Sequence, residues 1–505
     1  MKLSLARLAL LVCSLFVLVA PARATWSIVV VDTKTGEVCI ASATCIAGFN
    51  LKARAAVVRV GQGVAACQSS VDSTGQNRVY IWNAMQAGTT PAQMLVDLQA
   101  QDGAHQTRQY GIVTMGDVPA TFTGSQAALA ASGVTGVVGD LRYAIQGNIL
   151  TCDAVVNDAE LALRNSPGDL SQRVMAAMEA ARARGGDGRC SCSSTAPMAC
   201  GCAPAQFHYS AFTAYICVAR MGDVDGVCGT PGSNGCANGV YYCDVRAISL
   251  PGGPEPIEFL ARKYDAWRND LRGVADHLRT RVEPSAQRLV ADGLSSITVD
   301  VQLVDVDGAL VTSNPATLSI VSVGDNAASV GGVTDHGGGH LSFPVSATTT
   351  PGTLSLAITV QHGARAVRLW PNVVVPVDTL TELHSGCATV SASSGAAVPL
   401  TLNLGAAQAA VPYHVLGSAS GTTPGIVFQG QAVPLNCDTL LRASVAHANN
   451  LRFQGTAGAL DALGRGEARF VASPSLLQFY VGRRMDWAAV LPGHVTNLVG
   501  FDVLP

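Results

Sequence analysis

Thr25 is the residue of this 505-residue chain whose position can turn it into a reagent. Ahead of it, Ala22-Arg23-Ala24 has the small-x-small pattern after which signal peptidase cuts. A threonine freed there carries a hydroxyl nucleophile and an α-amine with an unperturbed pKa of about 8. The amine takes the hydroxyl proton directly or through water, so one residue supplies nucleophile and base for amide-bond cleavage. Signal cleavage always leaves some residue first, so Thr25 needs support from the rest of the sequence.

Competing chemistries have little to stand on. The sequence shows no G-x-S-x-G elbow, H-E-x-x-H helix, phosphate-binding loop or dinucleotide fingerprint. Its ten His do not pair visibly with a nucleophile. Thr334-Asp335-His336-Gly337-Gly338-Gly339-His340 reads as a solvated Gly-rich turn rather than a metal site. The 15 Cys include Cys13 in the leader and three even groups beyond it. These are Cys39, Cys45, Cys67 and Cys152; eight from Cys190 to Cys243; and Cys387 with Cys437. Even groups in an exported chain predict disulfides formed domain by domain, with Cys387 to Cys437 the one assignable pair. Cys190, Cys192, Cys200 and Cys202 repeat a C-x-C that thiolate zinc can use. The usual structural zinc spacing has two to four intervening residues, so disulfides in an oxidising compartment are favoured.

The leader reading rests on Lys2 and Arg7, the apolar run Leu8 to Ala20, and Pro21. That run is shorter than the roughly 20 residues a membrane-spanning helix needs, and no later segment is long enough, so residues 1–24 are expected to be a signal peptide. Losing three basic residues would take the net charge from −3 to −6. Charged residues are only 13% of the chain against 48% hydrophobic, with 52 Gly. This excludes charge-driven disorder, offers no basic face for nucleic acid, and indicates β-rich domains with many turns.

The elements that would position Thr25 follow from pattern. TWSIVVVD from Thr25 predicts a buried strand, and a turn at Thr33 to Gly36 leads to a second strand, EVCIASA. A third apolar stretch covers Ala55 to Ala66. Helices are predicted at Asn77–Met85 and Pro91–Leu98, and strands at Gln109–Met115 and Ala120–Phe122. Amphipathic helices opened by Asp are predicted at Asp153–Leu163 and Asp169–Ala183, strands at Phe207–Arg220 and Tyr241–Ser249, and a charged helix from Pro256 to Arg281. This is an α+β layout. From Ile297 the period changes to two, predicting a β-sandwich to about Val377. Leu383 to Pro505 predicts another β-domain.

From Thr25 to about Arg268 the chain resembles the bacterial and archaeal family known as domain of unknown function 1028. The resemblance is carried by T-W-S-I-V-V-V-D at Thr25–Asp32, G-V-A-A-C-Q at Gly63–Gln68 and T-F-T-G-S at Thr121–Ser125. I-Q-G-N-I-L at Ile145–Leu150, G-G-D at Gly185–Asp187 and P-x-P-I-x-x-L at Pro254–Leu260 complete it. It implies a four-layer αββα sandwich of the N-terminal-nucleophile hydrolase type over residues 25–282, with a Cys-rich insertion at 190–243. It also implies a first residue Thr, exposed by export. An established activity it does not imply. Where the family has Gly-Gly-Asp-x-Arg-Gly-x-Gln-Ser, this chain has G-G-D-G-R-C-S-C-S from Gly185, keeping Asp187 and Arg189 and losing the Gln. The family Thr before Gln68 is Cys67 here, expected as a disulfide partner.

Supporting roles follow from residue type. Asn148 and Gln146 can donate to an oxyanion, or simply form a turn after a strand. Asp187 can orient the amine or close a helix. Lys52 or Arg54 can repel a proton from the amine, or be solvated. Residues 285–377 resemble a bacterial immunoglobulin-like domain of invasin type, and 383–505 a C-terminal β-domain of exported proteins. The expectation is an exported amide hydrolase with no cofactor, acting on a peptidoglycan peptide or another extracellular amide. The alternative is a non-catalytic envelope or adhesion protein that kept the fold, with the β-domains making envelope contact.

Overall fold

The computed structural model describes residues 25–127, 129–229, 235–312, 316–324, 328–379 and 381–505. The signal-peptide assignment of residues 1–24 lies outside them. The chain divides into two compact units, ending at Asp270 and beginning at Leu271.

The first unit opens with β1 (Thr25–Asp32), β2 (Val38–Thr44), α1 (Leu51–Ala55), β3 (Ala56–Arg59) and β4 (Gly63–Ser69). Next come α2 (Gln76–Gln86), α3 (Pro91–Gln101), β5 (Arg108–Thr114), β6 (Ala120–Thr123), β7 (Ser132–Val138) and β8 (Leu141–Asn148). It closes with α4 (Ala154–Asn165), α5 (Leu170–Ala183), α6 (Gly188–Ser191), β9 (Thr213–Ala219), β10 (Cys243–Ile248) and α7 (Pro256–Asn269). One sheet runs β10-β9-β2-β1-β8-β7 and the other β3-β4-β5-β6. Strand alternation decides what each face meets. Trp26, Ile28 and Val30 of β1 pack with Val156 and Leu163 of α4, Val174 and Met178 of α5, and Leu260 of α7. Val29 and Val31, one residue out of phase, pack with Val58, Val64 and Val113 of the other sheet. That sheet turns Ala65, Tyr110 and Ile112 to Ile81, Met94 and Leu98 of α2 and α3.

Local chemistry sets the boundaries. Asp32 Oδ1 accepts from Lys34 N and Thr35 N, and Gly36 at φ +76° closes the β1–β2 turn. Asp169 and Gln172 form a capping box at α5. Pro256 sits in the first turn of α7, behind Glu255, whose Oε2 accepts from Ile257 N and Glu258 N. The predicted helix to Arg281 stops at Asn269; Gly273 follows at φ +69°, and Arg281–Pro284 is a strand. The single apolar stretch at Ala55 to Ala66 is two strands, β3 and β4.

In the second unit, Arg281–Pro284, Ser296–Gln302 and His340–Ser346 belong to one sheet, and Thr317–Ser322, Gly352–His362 and Val373–Asp378 to another. Val299, Val301, Phe343, Leu356 and Val360 meet in their common core. Thr334–Gly337 is a short strand rather than a turn residue run, folding back on His340–Ser346 through glycines at positive φ. The rings of His336 and His340 stack at 4.7 Å, with Nε2 atoms bonded to Ser342 and Asp300. A second β-domain from Leu383 packs Phe453, Phe470, Trp487 and Phe501 around one centre, Phe470 and Trp487 at 5.0 Å.

The disulfides are Cys45–Cys190, Cys152–Cys202, Cys192–Cys200 and Cys228–Cys236. The early cysteines therefore pair with the Cys-rich insertion, and Cys39, Cys67, Cys217 and Cys243 stay as buried thiols. Register explains two of these: Cys39 and Cys243 face Val218 from opposite sides, two strand spacings or roughly 10 Å apart, beyond disulfide reach. Cys67, expected in a disulfide, is a thiol turned towards the helices, and burial pushes it up to about 12. The expected Cys387–Cys437 pair is also absent. Cys387 precedes Thr389–Ser391 at one edge of a sheet, while Asp438 beside Cys437 bonds Ser418 and Ala419 three strands away, roughly 14 Å.

Two outcomes test the packing. A Cβ on Gly111 would lie 2.1 Å from Oε1 and 2.6 Å from Cδ of the fully buried Gln146. Gly111→Ala should therefore cost about 1–3 kcal/mol in urea denaturation, and much less in a Gln146→Ala background. His105 is buried against Phe122 at 4.0 Å, and burial lowers its pKa from 6.5 against the pull of Asp102. Its neutral ring is the favoured folded form, so its contribution is present above about pH 6.5 and is lost as pH falls through the lowered folded value. His105→Phe should flatten the stability profile between about pH 7 and about pH 5.

Candidate functional site

Thr25, Ser27, Ser42, Gln146 and Asn148 stand on the face of the first sheet that carries Val29 and Val31, and Gln68 and Gln109 answer from the second sheet. The space between the sheets thus has an apolar end and a polar end. Buried polar groups must find partners or carry a desolvation cost. Thr25, 3% exposed, donates its backbone N to Asn148 Oδ1 at 3.1 Å. Asn148 Nδ2 reaches Ser69 Oγ and Ala127 O, both at 3.3 Å. Gln68 Nε2 donates to Thr25 O and Gln109 Oε1, both at 2.8 Å, and Gln68 Oε1 accepts from Ser27 Oγ. Gln109 Nε2 continues to Gly147 O at 2.9 Å. Gln146 is fully buried beside them, with both amide atoms lacking a partner among the described residues. Ser69 at φ +68° and Ile149 at φ +53° hold left-handed backbone at the margins; for β-branched Ile149 this is a strained conformation.

Asp187 closes this end. Its carboxylate is fully buried, accepting from Cys45 N at 2.8 Å and Arg189 N at 3.1 Å and pairing with Arg189 Nη2 at 2.8 Å. Burial raises its pKa, with Arg189 acting the other way. Asp187 bridges Leu150, Gly188 N donates to Ile149 O at 3.0 Å, and Gly186 lies against the Trp26 ring. The Gly186–Cys190 strap therefore contacts the ends of β2, β1 and β8 together. Cys45–Cys190 fixes it covalently, and Cys152–Cys202 ties the chain further on.

Of the residues singled out from sequence, Thr25, Gln146 and Asn148 come together, and Asp187 meets the same strand ends. Lys52 does not. Its Nζ pairs with Asp244 Oδ2 at 2.6 Å, and Asp244 is in register with Cys217, Ile40 and Val29, three strands from β1 and four residues beyond Thr25. Burial works to raise the Asp244 pKa, but hydrogen bonds from Arg246 and Lys52 outweigh it and hold the carboxyl low. Arg54 contributes its carbonyl to Arg78. Sequence reasoning missed Gln68, Gln109, Ser27, Ser42 and Ser69. Their signal was present: polar side chains at inward positions of apolar strands, at one end of each. Together with Thr25 and Asn148 they form an array of amides and hydroxyls around the Thr25 end of β1.

Removing the carboxylate should loosen the strap. Asp187→Ala is expected to cost about 2–4 kcal/mol, because the partly buried Arg189 guanidinium and the Cys45 N–H lose their acceptor. Urea denaturation with disulfides intact measures it, and faster amide exchange at Cys45 and Ile149 locates it.

Comparison with known proteins then bears on this geometry. Residues 25–204 match a family model described as a family of unknown function, DUF1028, and residues 277–369 one described as invasin, domain 3. No curated protein matches. A Silicibacter pomeroyi protein of the DUF1028 family model has a crystal structure that is 19% identical, aligned over 48% of this chain and 85% of that one, with a TM-score of 0.36. The Yersinia pseudotuberculosis adhesin InvE is 14% identical over 44% of this chain and 58% of its own, TM-score 0.18. FdeC, an Escherichia coli adhesin, is 9% identical over 95% and 97%, TM-score 0.19. The expectation of an exported amide hydrolase is corrected by the family models: the two that match are a family of unknown function and invasin domain 3, and neither describes a hydrolase. Among the described residues no group of three or more His, Cys, Asp or Glu can hold a metal, and no helix is long and apolar enough to cross a membrane. The chain carries an N-terminal DUF1028 region in an α+β unit, followed by an invasin-type immunoglobulin-like β-domain within a β-rich remainder.

Proposed function

We propose that this chain is an exported, non-catalytic envelope protein of adhesion or display type. In this reading the first unit is an αββα scaffold, related in layering to the N-terminal-nucleophile class, and the β-domains from residue 277 onward make contact with the envelope or a partner surface. The observation that carries the proposal is the invasin domain 3 match over residues 277–369, which falls on a sandwich with its own core. Two further features support it. Four disulfides in the first unit suit an oxidising, extracytoplasmic compartment. Thr25 is buried, and the neighbouring strand ends meet a segment that the Cys45–Cys190 disulfide holds down.

Beads coated with the full chain should bind intact bacterial cells, and excess soluble full chain should compete. Thr25→Ala should leave that binding within about twofold, since Thr25 is a buried packing residue and not part of the contact surface. Binding that fails to compete, or that disappears in Thr25→Ala with the fold intact, would overturn the proposal.

A further inference from the structure

Cys67 and Gln68 leave β4 on opposite sides. Gln68 enters the inter-sheet layer, while Cys67 faces a small cavity beneath the first turn of α2. Asp72, Asn77, Arg78, Arg108 and Tyr110 complete its lining. Its volume is about 10 Å³, room for one water-sized occupant.

Arg78 is 6% exposed. Its Nη1 donates to Arg54 O, but its Nε has no partner among the described residues, and no carboxylate there lies within ion-pair distance of its guanidinium. The other charges at the cavity are engaged. Arg108 gives Nε and Nη2 to Asp102 at 2.8 and 3.3 Å. Asp72 is the one opposing charge, and its oxygens accept from Thr74 N, Thr74 Oγ1 and Asn77 N. Asn77 Nδ2 donates to Asp102 and Tyr110. A buried lysine or carboxyl can discharge to escape its desolvation cost; a guanidinium cannot. The N-terminus of α2, an 11-residue helix, adds the positive end of its dipole at the same place.

We propose that this cavity binds a small monovalent anion of halide size, held by the Nε of Arg78. Water in the cavity would accept the N–H but leave the charge unmet; a halide does both. The site is independent of the adhesion reading.

The full chain is unfolded thermally at fixed ionic strength while gluconate is exchanged for chloride. The midpoint of the first unit should rise by about 3 °C at 150 mM chloride or bromide. Arg78→Gln should abolish the rise. Should that variant fail to fold, the ¹³Cβ resonance of Cys67 in the wild-type chain decides: it should titrate with chloride. Equal midpoints in gluconate and chloride, a chloride response retained by Arg78→Gln, or a Cys67 resonance that does not move would each overturn the proposal.

Discussion

A carboxylate without access to water must be met from every side, and Asp187 is met by the backbone of Cys45, the backbone of Arg189 and the Arg189 guanidinium. Much of the first unit depends on that arrangement. It brings the ends of β2 and β8 to one short segment, with Trp26 of β1 against it, so three central strands terminate on a shared anchor. Two disulfides add a constraint that water cannot compete with. The left-handed backbone at Ile149 is tolerated there because hydrogen bonds on both sides, to Leu129 O and from Gly188 N, over-determine it.

The polar end between the sheets is the complement of that anchor. Amides and hydroxyls replace valines at the same inward positions, and hydrogen bonding rather than burial of apolar area holds the sheets together there. Such a layer specifies register, because a one-residue slip of β4 against β5 would separate Gln68 from Gln109 and turn Gln68 outward. In the proposed reading, the α+β unit is a scaffold ahead of β-domains, one of which matches invasin domain 3.

Much of the fold was legible in the residues. β1 and β2 announce themselves by continuous apolar runs, and α4 and α5 by period and capping Asp. β7 and β8 were not legible, because GVTGVV and LRYAIQGN break the apolar pattern with Gly, Thr and Arg. The charged helix was read too long because its charge pattern continues past Asn269, while Gly273 and the following residues follow a different path. Disulfide pairing lay beyond the sequence: parity counts cysteines, but strand register and facing decide which sulfurs can meet. Thr25, Gln146 and Asn148 were found through motif, yet Gln68 and Gln109 gain meaning only once two sheets face each other. Lys52 was misplaced for the same reason, since its neighbour Asp244 lies almost two hundred residues away in sequence.

In the proposed reading, the Thr25 end of β1 is sealed structure rather than a reactive site. Incubating the full exported chain with a hydroxyl-reactive β-lactone and mapping adducts by mass spectrometry tests it most directly. No adduct is expected at Thr25 while the disulfides are intact. A stoichiometric adduct on Thr25 would contradict it.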